Sequence, residues 1–164
     1  MNQTIKGFSL TQPWATLVAM GSKQVETRSW STPYRGWLAI HAAKGFPGYA
    51  KDFASAEFTL GRLPAQLPRG GIVALARLGK VMRTEALAPI LTPLERLYGD
   101  YSSGRYGWLL YDVIALPEPI PCRGALSLWE IPADILPALQ ERLAGVVLDV
   151  EPPPPTPQQI EIFE

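Results

Sequence analysis

The sequence predicts one α+β domain over residues 1–145, followed by a proline-rich tail over residues 146–164. Three observations lead to this prediction. A length of 164 residues fits the roughly 100–200 residues of a single domain. With 47% hydrophobic residues and five tryptophans, the chain can bury a core. Its apolar residues alternate as in strands in some segments and follow helical spacing in others.

The first elements predicted are a lead-in and a short helix. Residues 1–7 are expected to form a lead-in, at most an edge strand. Four apolar residues then share a helical face: Leu10, Trp14, Leu17 and Val18. Thr11 is the expected N-cap and Gly21 the expected stop, which gives a helix of about ten residues.

A strand is predicted over Gln24–Trp30, and period-two geometry places alternate residues on one face: Gln24, Glu26, Arg28 and Trp30. Lys23 is expected in the turn before the strand, from which its flexible stem can reach Glu26. After a loop over residues 31–36, the next strand is predicted from Trp37 to Lys44. Leu38, Ile40 and Ala42 lie on one of its faces, and Trp37, Ala39 and His41 on the other.

The central part of the chain is predicted to alternate helices and strands. The expected elements are a helix over 49–58, a loop over 61–71, a buried strand over 72–78 and a helical turn over 84–89. A further helix is expected to begin at Thr92 and to end at Gly99. Thr92 can cap it, Pro93 fits the first helical position, and Glu95 can close a capping box.

The last part of the chain is predicted to add two strands and a helix. Tyr106–Leu116 is expected to be a long strand, residues 117–121 a stiff connection and residues 125–131 a final strand. A helix is expected over 133–144, with Ile135, Leu136, Leu139 and Leu143 on one side. Residues 151–164 contain five prolines and are expected to be extended.

Charge is unevenly distributed along a chain whose net charge is zero. Residues 1–51 hold six basic residues against one acid (+5), residues 52–140 eight against nine (−1), and residues 141–164 one against five (−4). This asymmetry is compatible with anion binding near the N-terminal end of the domain. It does not favour broad duplex binding, which depends on many phosphate contacts.

Several classes of protein are disfavoured by the sequence. A single cysteine, Cys122, excludes an intrachain disulfide and a cysteine-based zinc site. No stretch approaches a membrane span, and the N-terminus lacks the features of a signal peptide. We therefore expect a cytoplasmic protein, monomeric by default. Walker, dinucleotide-binding and EF-hand patterns are missing from the sequence, and a single histidine cannot form a multi-histidine metal site, so no cofactor or metal is expected.

One stretch, Ser9–Lys44, concentrates chemically active residue types. It holds three tryptophans, one tyrosine, the only histidine and several charged residues: Lys23, Glu26, Arg28, Arg35 and Lys44. Aromatic faces beside cations suit a surface that stacks a planar ring and neutralises a phosphate. This stretch is therefore the candidate binding region.

The same stretch resembles a known family. The motifs are Gln12-Pro13-Trp14-Ala15, then Gly21-x-Lys23-x-x-Glu26-x-Arg28, then Ser29-Trp30-x-Thr32-Pro33-x-Arg35-Gly36. Together they resemble the signature of the ASCH domain (activating signal cointegrator homology), within the PUA-like superfamily. Later segments, residues 70–74, 105–108 and 119–124, also resemble family members, so the likeness spans roughly residues 8–132.

The resemblance implies a fold and a site. It implies a small mixed β-barrel with flanking helices, closed by the strands predicted over 106–116 and 125–131. It also implies an RNA- or nucleic-acid-associated module in which Lys23, Glu26 and Arg28 face a cleft between the first helix and the barrel. Without the resemblance, the spacing alone favours an ion pair between Glu26 and Arg28 on an exposed strand face.

The chemistry of each candidate residue suggests a role in such a cleft. Arg28 can clamp a phosphate or a base edge, and Glu26 can accept a hydrogen bond from an amino group. Lys23 can bind phosphate or, if desolvated, act as a nucleophile or base. The other candidates for ligand contact are Trp14, Trp30, Tyr34, His41, Arg105 and Trp108.

Each of these further candidates has an alternative role. Trp30 is the best stacking candidate, and Trp14 fits the core as well as the cleft, because tryptophan is highly buried on average. His41 can be a hydrogen-bonded residue inside a strand or a proton carrier near Lys44 and Glu26.

Three functions remain open from the sequence. The first is a module that binds RNA, single-stranded nucleic acid or a nucleotide-like ligand. The second is an amidohydrolase, since a small group within the ASCH superfamily removes the acetyl group from N4-acetylcytidine with a Lys, a Thr and a Glu. Lys23 and Glu26 would then be catalytic, although Glu26 stands where that group has Thr. The third is a protein-interaction adaptor, which the proline-rich tail would suit.

Overall fold

A computed structural model of the chain describes residues 3–57, 59 and 61–146. Its six strands are β1 (Ile5–Leu10), β2 (Val25–Arg28), β3 (Gly36–Ala42), β4 (Gly71–Arg83), β5 (Tyr106–Pro121) and β6 (Leu128–Glu130). Its α-helices are α1 (Trp14–Ala19), α2 (Gly48–Ala54), α3 (Thr84–Leu87), α4 (Pro93–Leu97) and α5 (Leu136–Leu143). A single 3₁₀ turn, Ala88–Ile90, follows α3.

The strands form one curled, half-barrel sheet in the order β2-β5-β4-β3-β1-β6. β1 and β3 are parallel, and the other neighbours are antiparallel. The predicted α+β fold is thus confirmed. The last strand, β6, pairs with β1, so β2 and β6 are the two outermost strands of the described sheet.

The core lies on both faces of this sheet. One buried cluster contains Leu38, Ile40 and Ala42 from one face of β3, and a second contains Trp37 and Ala39 from the other face. The predicted alternation along β3 is therefore confirmed. Leu139 and Leu143 of α5 complete the second cluster, as helical spacing predicted.

The N-terminal segment differs from its prediction. Residues 5–10 form an interior strand between β3 and β6, rather than a lead-in or edge strand. Leu10 therefore belongs to β1, and α1 begins only at Trp14. Thr11 does not cap this helix. The side-chain oxygen of Gln12 instead accepts a 3.0 Å hydrogen bond from the amide of Thr16.

α4 confirms one capping prediction and corrects another. The Thr92 hydroxyl accepts a hydrogen bond from the Glu95 amide at 3.0 Å, as expected of an N-cap. Glu95 does not close a capping box, because its carboxylate accepts from the amides of Gln24 and Val25 at 2.5 and 3.1 Å. These two hydrogen bonds of Glu95 connect α4 to the start of β2.

β5 continues through the segment predicted to be a stiff connection. Pro121 and Ile120 still pair with Gly71 and Ile72 of β4. Proline is tolerated there because this half of β5 has a free edge, where no ladder hydrogen bond is lost. The proline-rich segment 151–164 lies outside the described residues. Among the helices that the structure describes, none is long and apolar enough to cross a membrane.

Candidate nucleic-acid interface

A cleft of about 580 Å³ lies between α1, α2, the face of β2 and the loop that follows α4. Five residues singled out in the sequence line it: Trp14, Glu26, Arg28, Trp30 and Arg105. The other four lie elsewhere: Lys23, Tyr34, His41 and Trp108. The period-two pattern of β2 accounts for two of the five, because it points Glu26 and Arg28 to the same side.

Glu26 stands at the centre of the charged part of the cleft. Its Oε1 accepts a hydrogen bond from the Thr27 amide at 2.9 Å and lies 3.8 Å from Lys23 Nζ. Its Oε2 lies 3.5 Å from Arg28 Nη2. The carboxylate is thus held between a buried cation and a half-buried one, which fixes its orientation in the cleft.

Arg28 is positioned by three contacts. Its Nη2 donates a 2.9 Å hydrogen bond to the backbone oxygen of Ser9, in addition to the ion pair with Glu26. Its guanidinium lies over the Phe8 ring at 4.5 Å. The buried Nε has no hydrogen-bond partner among the described residues, so this donor is unused. The guanidinium is therefore oriented but retains capacity to donate.

Lys23 lies beneath the cleft rather than in its wall. Its side chain is fully buried, and Nζ donates to the backbone oxygens of Val25 and Tyr98 at 2.6 and 3.0 Å. The predicted position in the turn before β2 is confirmed, as is the approach to Glu26. In this arrangement Lys23 supports the Glu26 carboxylate from behind.

A second buried carboxylate, Glu95, joins this cluster and was not identified as a site residue from the sequence. Burial raises its pKa to about 7, although the charge of Lys23 and the amides of Gln24 and Val25 oppose the shift. Oε2 has no hydrogen-bond partner among the described residues. The only sequence signal was its place in the capping-box pattern, which indicated a different partner.

One wall of the cleft is aromatic. Trp14 of α1 packs against Phe53 of α2, with ring centroids 4.6 Å apart, and its centroid lies 6.1 Å from that of Tyr49. Tyr49 is 66% exposed. Tyr49 and Phe53 were missed as site residues, because their approach to Trp14 depends on the packing of α2 against α1.

Trp30 is a further aromatic residue in the lining of the cleft. It is half-buried and makes an edge-to-face contact with Trp108 at 4.8 Å. Trp108 itself is fully buried, stacks on Phe8 at 4.8 Å and donates its indole N–H to the Trp30 backbone oxygen. Trp108 therefore supports Trp30 from the core.

The rim of the cleft carries one further ion pair. Arg105 Nε lies 3.5 Å from Asp100 Oδ2 and donates to the Asp100 backbone oxygen at 3.1 Å. Hydrogen bonds from Ser102 hold the pKa of Asp100 below its usual value. The Asp100 amide in turn donates to the Thr27 hydroxyl, which ties the rim to β2.

Tyr34 and His41 lie away from the cleft. The Tyr34 hydroxyl donates to the Trp37 backbone oxygen at 2.6 Å, and burial raises the pKa of Tyr34 to about 12. His41 is buried on β3, next to Ser9 and Cys122. His41 and Ser9 line a second cavity instead.

Two curated proteins share a short stretch of sequence with this chain. Human activating signal cointegrator 1 is 54% identical over 42 residues, which are 24% of this chain and 7% of the human protein. The mouse protein of the same name is 49% identical over 42 residues, again 7% of its length. The chain thus matches only a small part of these relatives.

Solved structures extend the likeness to most of the chain. The crystal structure of ASCH from Zymomonas mobilis has a TM-score of 0.54 at 16% identity, covering 84% of this chain and 94% of that one. A single-substitution variant of the same protein has a TM-score of 0.53, also at 16% identity, covering 84% and 96%. At this identity the likeness concerns the fold. The family model for the ASCH domain matches residues 8–120, more than half of the sequence, and the chain therefore belongs to the ASCH domain family.

Proposed function

We propose that this chain is an RNA-binding module that holds one unstacked nucleotide in the cleft between α1, α2 and β2. The observation that carries the proposal is the pairing of aromatic walls with an oriented Glu26–Arg28 pair in one cavity. Membership of a family associated with RNA binding supports it.

The aromatic walls favour a planar ligand. Sequence-tolerant recognition of single strands relies on bases stacking on aromatic side chains, each contributing roughly 1–3 kcal/mol. Trp14, Tyr49 and Trp30 offer such surfaces in the lining of the cleft. A cleft of about 580 Å³ is large enough for a single nucleotide and lies within the usual range of small-ligand sites.

The polar groups favour the edge of a nucleobase. The Glu26 carboxylate can accept a hydrogen bond from an exocyclic amino group, as carboxylates do from cytosine N4. Arg28 can donate to a ring nitrogen, a carbonyl oxygen or the adjoining phosphate. Lys23 and the Thr27 amide hold the Glu26 carboxylate in place. Glu26 can therefore bind a ligand with little further loss of side-chain entropy.

The charges of the cleft favour a base over a long phosphate backbone. Arg28 and Arg105 are balanced by Glu26 and Asp100 in the lining. Neutralising several phosphates needs an excess of cations. The expected ligand is therefore a short single-stranded segment from which one base enters the cleft.

Hydrolysis of an N4-acylated cytidine is the alternative that the experiment must separate. Lys23 Nζ is fully buried and already donates to two backbone oxygens, an arrangement that supports a structural cation. The human relative is named activating signal cointegrator 1. An adaptor role is therefore a further alternative for this chain.

One test measures binding, by the fluorescence anisotropy of a labelled single-stranded RNA of about ten nucleotides. A second incubates the protein with N4-acetylcytidine and follows the release of cytidine. We expect binding without release of cytidine. Tyr49→Ala should weaken binding about 5- to 150-fold, from the roughly 1–3 kcal/mol of one stacked base. Arg28→Lys should also weaken it, since lysine retains the charge but loses the planar fork.

Matched controls keep the interpretation specific. Met20→Ala removes an exposed apolar side chain outside the cleft, and Arg142→Lys changes an exposed arginine on α5. Both should leave the affinity unchanged. Release of cytidine that depends on Glu26 would contradict the proposal and support the amidohydrolase. If the protein shows neither RNA binding nor cytidine release, the adaptor is the function that remains.

A further inference from the structure

A second cavity of about 800 Å³ lies apart from the cleft, where β1 and β3 meet the connection between β5 and β6. Its lining includes Ser9, His41, Lys44, Arg123 and Gly124. Ser9 and His41 are direct neighbours in the register of the parallel strands β1 and β3. The pair therefore sits on two adjacent strands inside the sheet, which hold it more rigidly than a loop would.

The hydrogen bonds of His41 define its proton positions. Nε2 lies 2.7 Å from the Cys122 backbone oxygen, and Nδ1 lies 3.1 Å from Ser9 Oγ. A carbonyl oxygen can only accept, so Nε2 carries the proton of the neutral ring and Nδ1 offers its lone pair. The Ser9 hydroxyl accordingly donates to Nδ1, as a nucleophile does to its general base.

The ring and the cavity are shaped to keep this pair in place. His41 is 2% exposed and makes an edge-to-face contact with Trp129 at 5.6 Å. A Cβ on Gly124 would lie 2.6 Å from Ser9 Oγ and 2.5 Å from His41 Cε1. Only glycine lets the backbone pass this close to the pair without a side chain obstructing it.

We propose that Ser9 is a nucleophile activated by His41, whose ring is oriented by its hydrogen bond to the Cys122 carbonyl. The substrate of this second cavity is then a carboxylic ester that bears a negative charge. Lys44 and Arg123 line the cavity, and neither forms an ion pair within the described part of the chain. Both are available to an anionic substrate. Alanine and leucine side chains, Ala43, Ala125 and Leu126, supply the apolar remainder.

The reaction balances with water as the only co-reactant. Ser9 Oγ attacks the carbonyl carbon while its proton passes to His41 Nδ1, which gives a tetrahedral intermediate. The ester C–O bond then breaks, and the leaving alcohol takes the proton back from Nδ1. A water molecule repeats the attack on the acyl-serine, which releases the acid and restores the hydroxyl.

The test treats the full chain with a fluorophosphonate probe and locates the adduct by peptide mass mapping. Phosphonylation forms a Ser9 Oγ–P bond and expels fluoride, and the serine proton goes to His41. We expect a single adduct on Ser9. The labelling rate should fall about 10²- to 10⁴-fold in His41→Gln, the usual contribution of a general base. Ser9→Ala should show no adduct, whereas Ser22→Ala should label like the parent.

Two further measurements complete the test. Circular dichroism establishes that each variant is folded, and Ser9→Ala remains decisive if His41→Gln unfolds. Hydrolysis of 4-nitrophenyl hemisuccinate relative to 4-nitrophenyl acetate reports the charge preference, which should fall about two- to fivefold in Arg123→Ala. No adduct, an adduct on another residue, or labelling that is unchanged in folded His41→Gln would overturn the proposal.

Discussion

The buried carboxyl of Glu95 should make the stability of this protein depend on pH in an unusual direction. Burial raises its pKa from an ordinary value of 4.5 to about 7. Between those values the native state holds a proton that the unfolded chain releases. The free energy of unfolding therefore falls as the pH rises from about 4.5 to about 7. Most structural carboxylates have lowered pKa values and show the opposite trend.

The substitution Glu95→Gln removes this titration but retains an oxygen that can accept from the amides of Gln24 and Val25. One pKa unit is equivalent to about 1.36 kcal/mol, so a rise from 4.5 to about 7 corresponds to roughly 3 kcal/mol. Relative to the parent, the variant should therefore gain about that much stability between pH 4 and pH 8.

Urea unfolding at four or five pH values across this range measures the difference directly. Glu141→Gln, at an exposed position on α5, is the matched control and should leave the pH dependence unchanged. Glu95→Ala, which loses the acceptors for both amides, should be less stable than Glu95→Gln at every pH. A difference between Glu95→Gln and the parent that stays constant with pH would refute the reasoning.

Three further predictions can be tested on the same material. Lys23→Ala should destabilise the fold by about 3–5 kcal/mol in urea unfolding, because it removes the fully buried cation beside the carboxylates of Glu26 and Glu95; a loss below about 1 kcal/mol would contradict this role. Gly107→Ala should cost about 1–3 kcal/mol, because its Cβ would overlap a leucine of α3, whereas Gly45→Ala, in open space, should cost little. If Arg28 and Arg105 are the cations that meet phosphate, log Kd for RNA should change with log salt by a slope of about 0.7–1.4. A slope above about 3 would place RNA on another surface.

Local pattern was sufficient to predict several parts of the molecule. Period-two alternation placed Glu26 and Arg28 on one side of β2, and turn chemistry placed Lys23 just before it. The Thr92 cap was predictable because an N-cap bond lies within four residues of sequence. Each of these features depends on neighbours along the chain.

The features that the sequence did not reveal depend on distant partners. Glu95 matched a local capping box, but two unpaired amides at the start of β2 compete for its carboxylate. Trp108 was expected at the ligand, yet Phe8 of β1 offers it a stacking partner in the core. Tyr49 reaches the cleft only through the packing of α2 on α1. Tertiary contacts of this kind leave no periodic signal.

The most direct test of the proposed cleft is an NMR titration of the five tryptophan indole N–H signals with a short single-stranded RNA. Trp14 and Trp30 line the cleft, whereas Trp37 and Trp129 pack in the core cluster on the other face of the sheet. We predict that the signals of Trp14 and Trp30 shift with RNA concentration while those of Trp37 and Trp129 stay in place. Shifts confined to Trp37 and Trp129, or an unchanged spectrum at saturating RNA, would contradict the proposal that this cleft binds RNA.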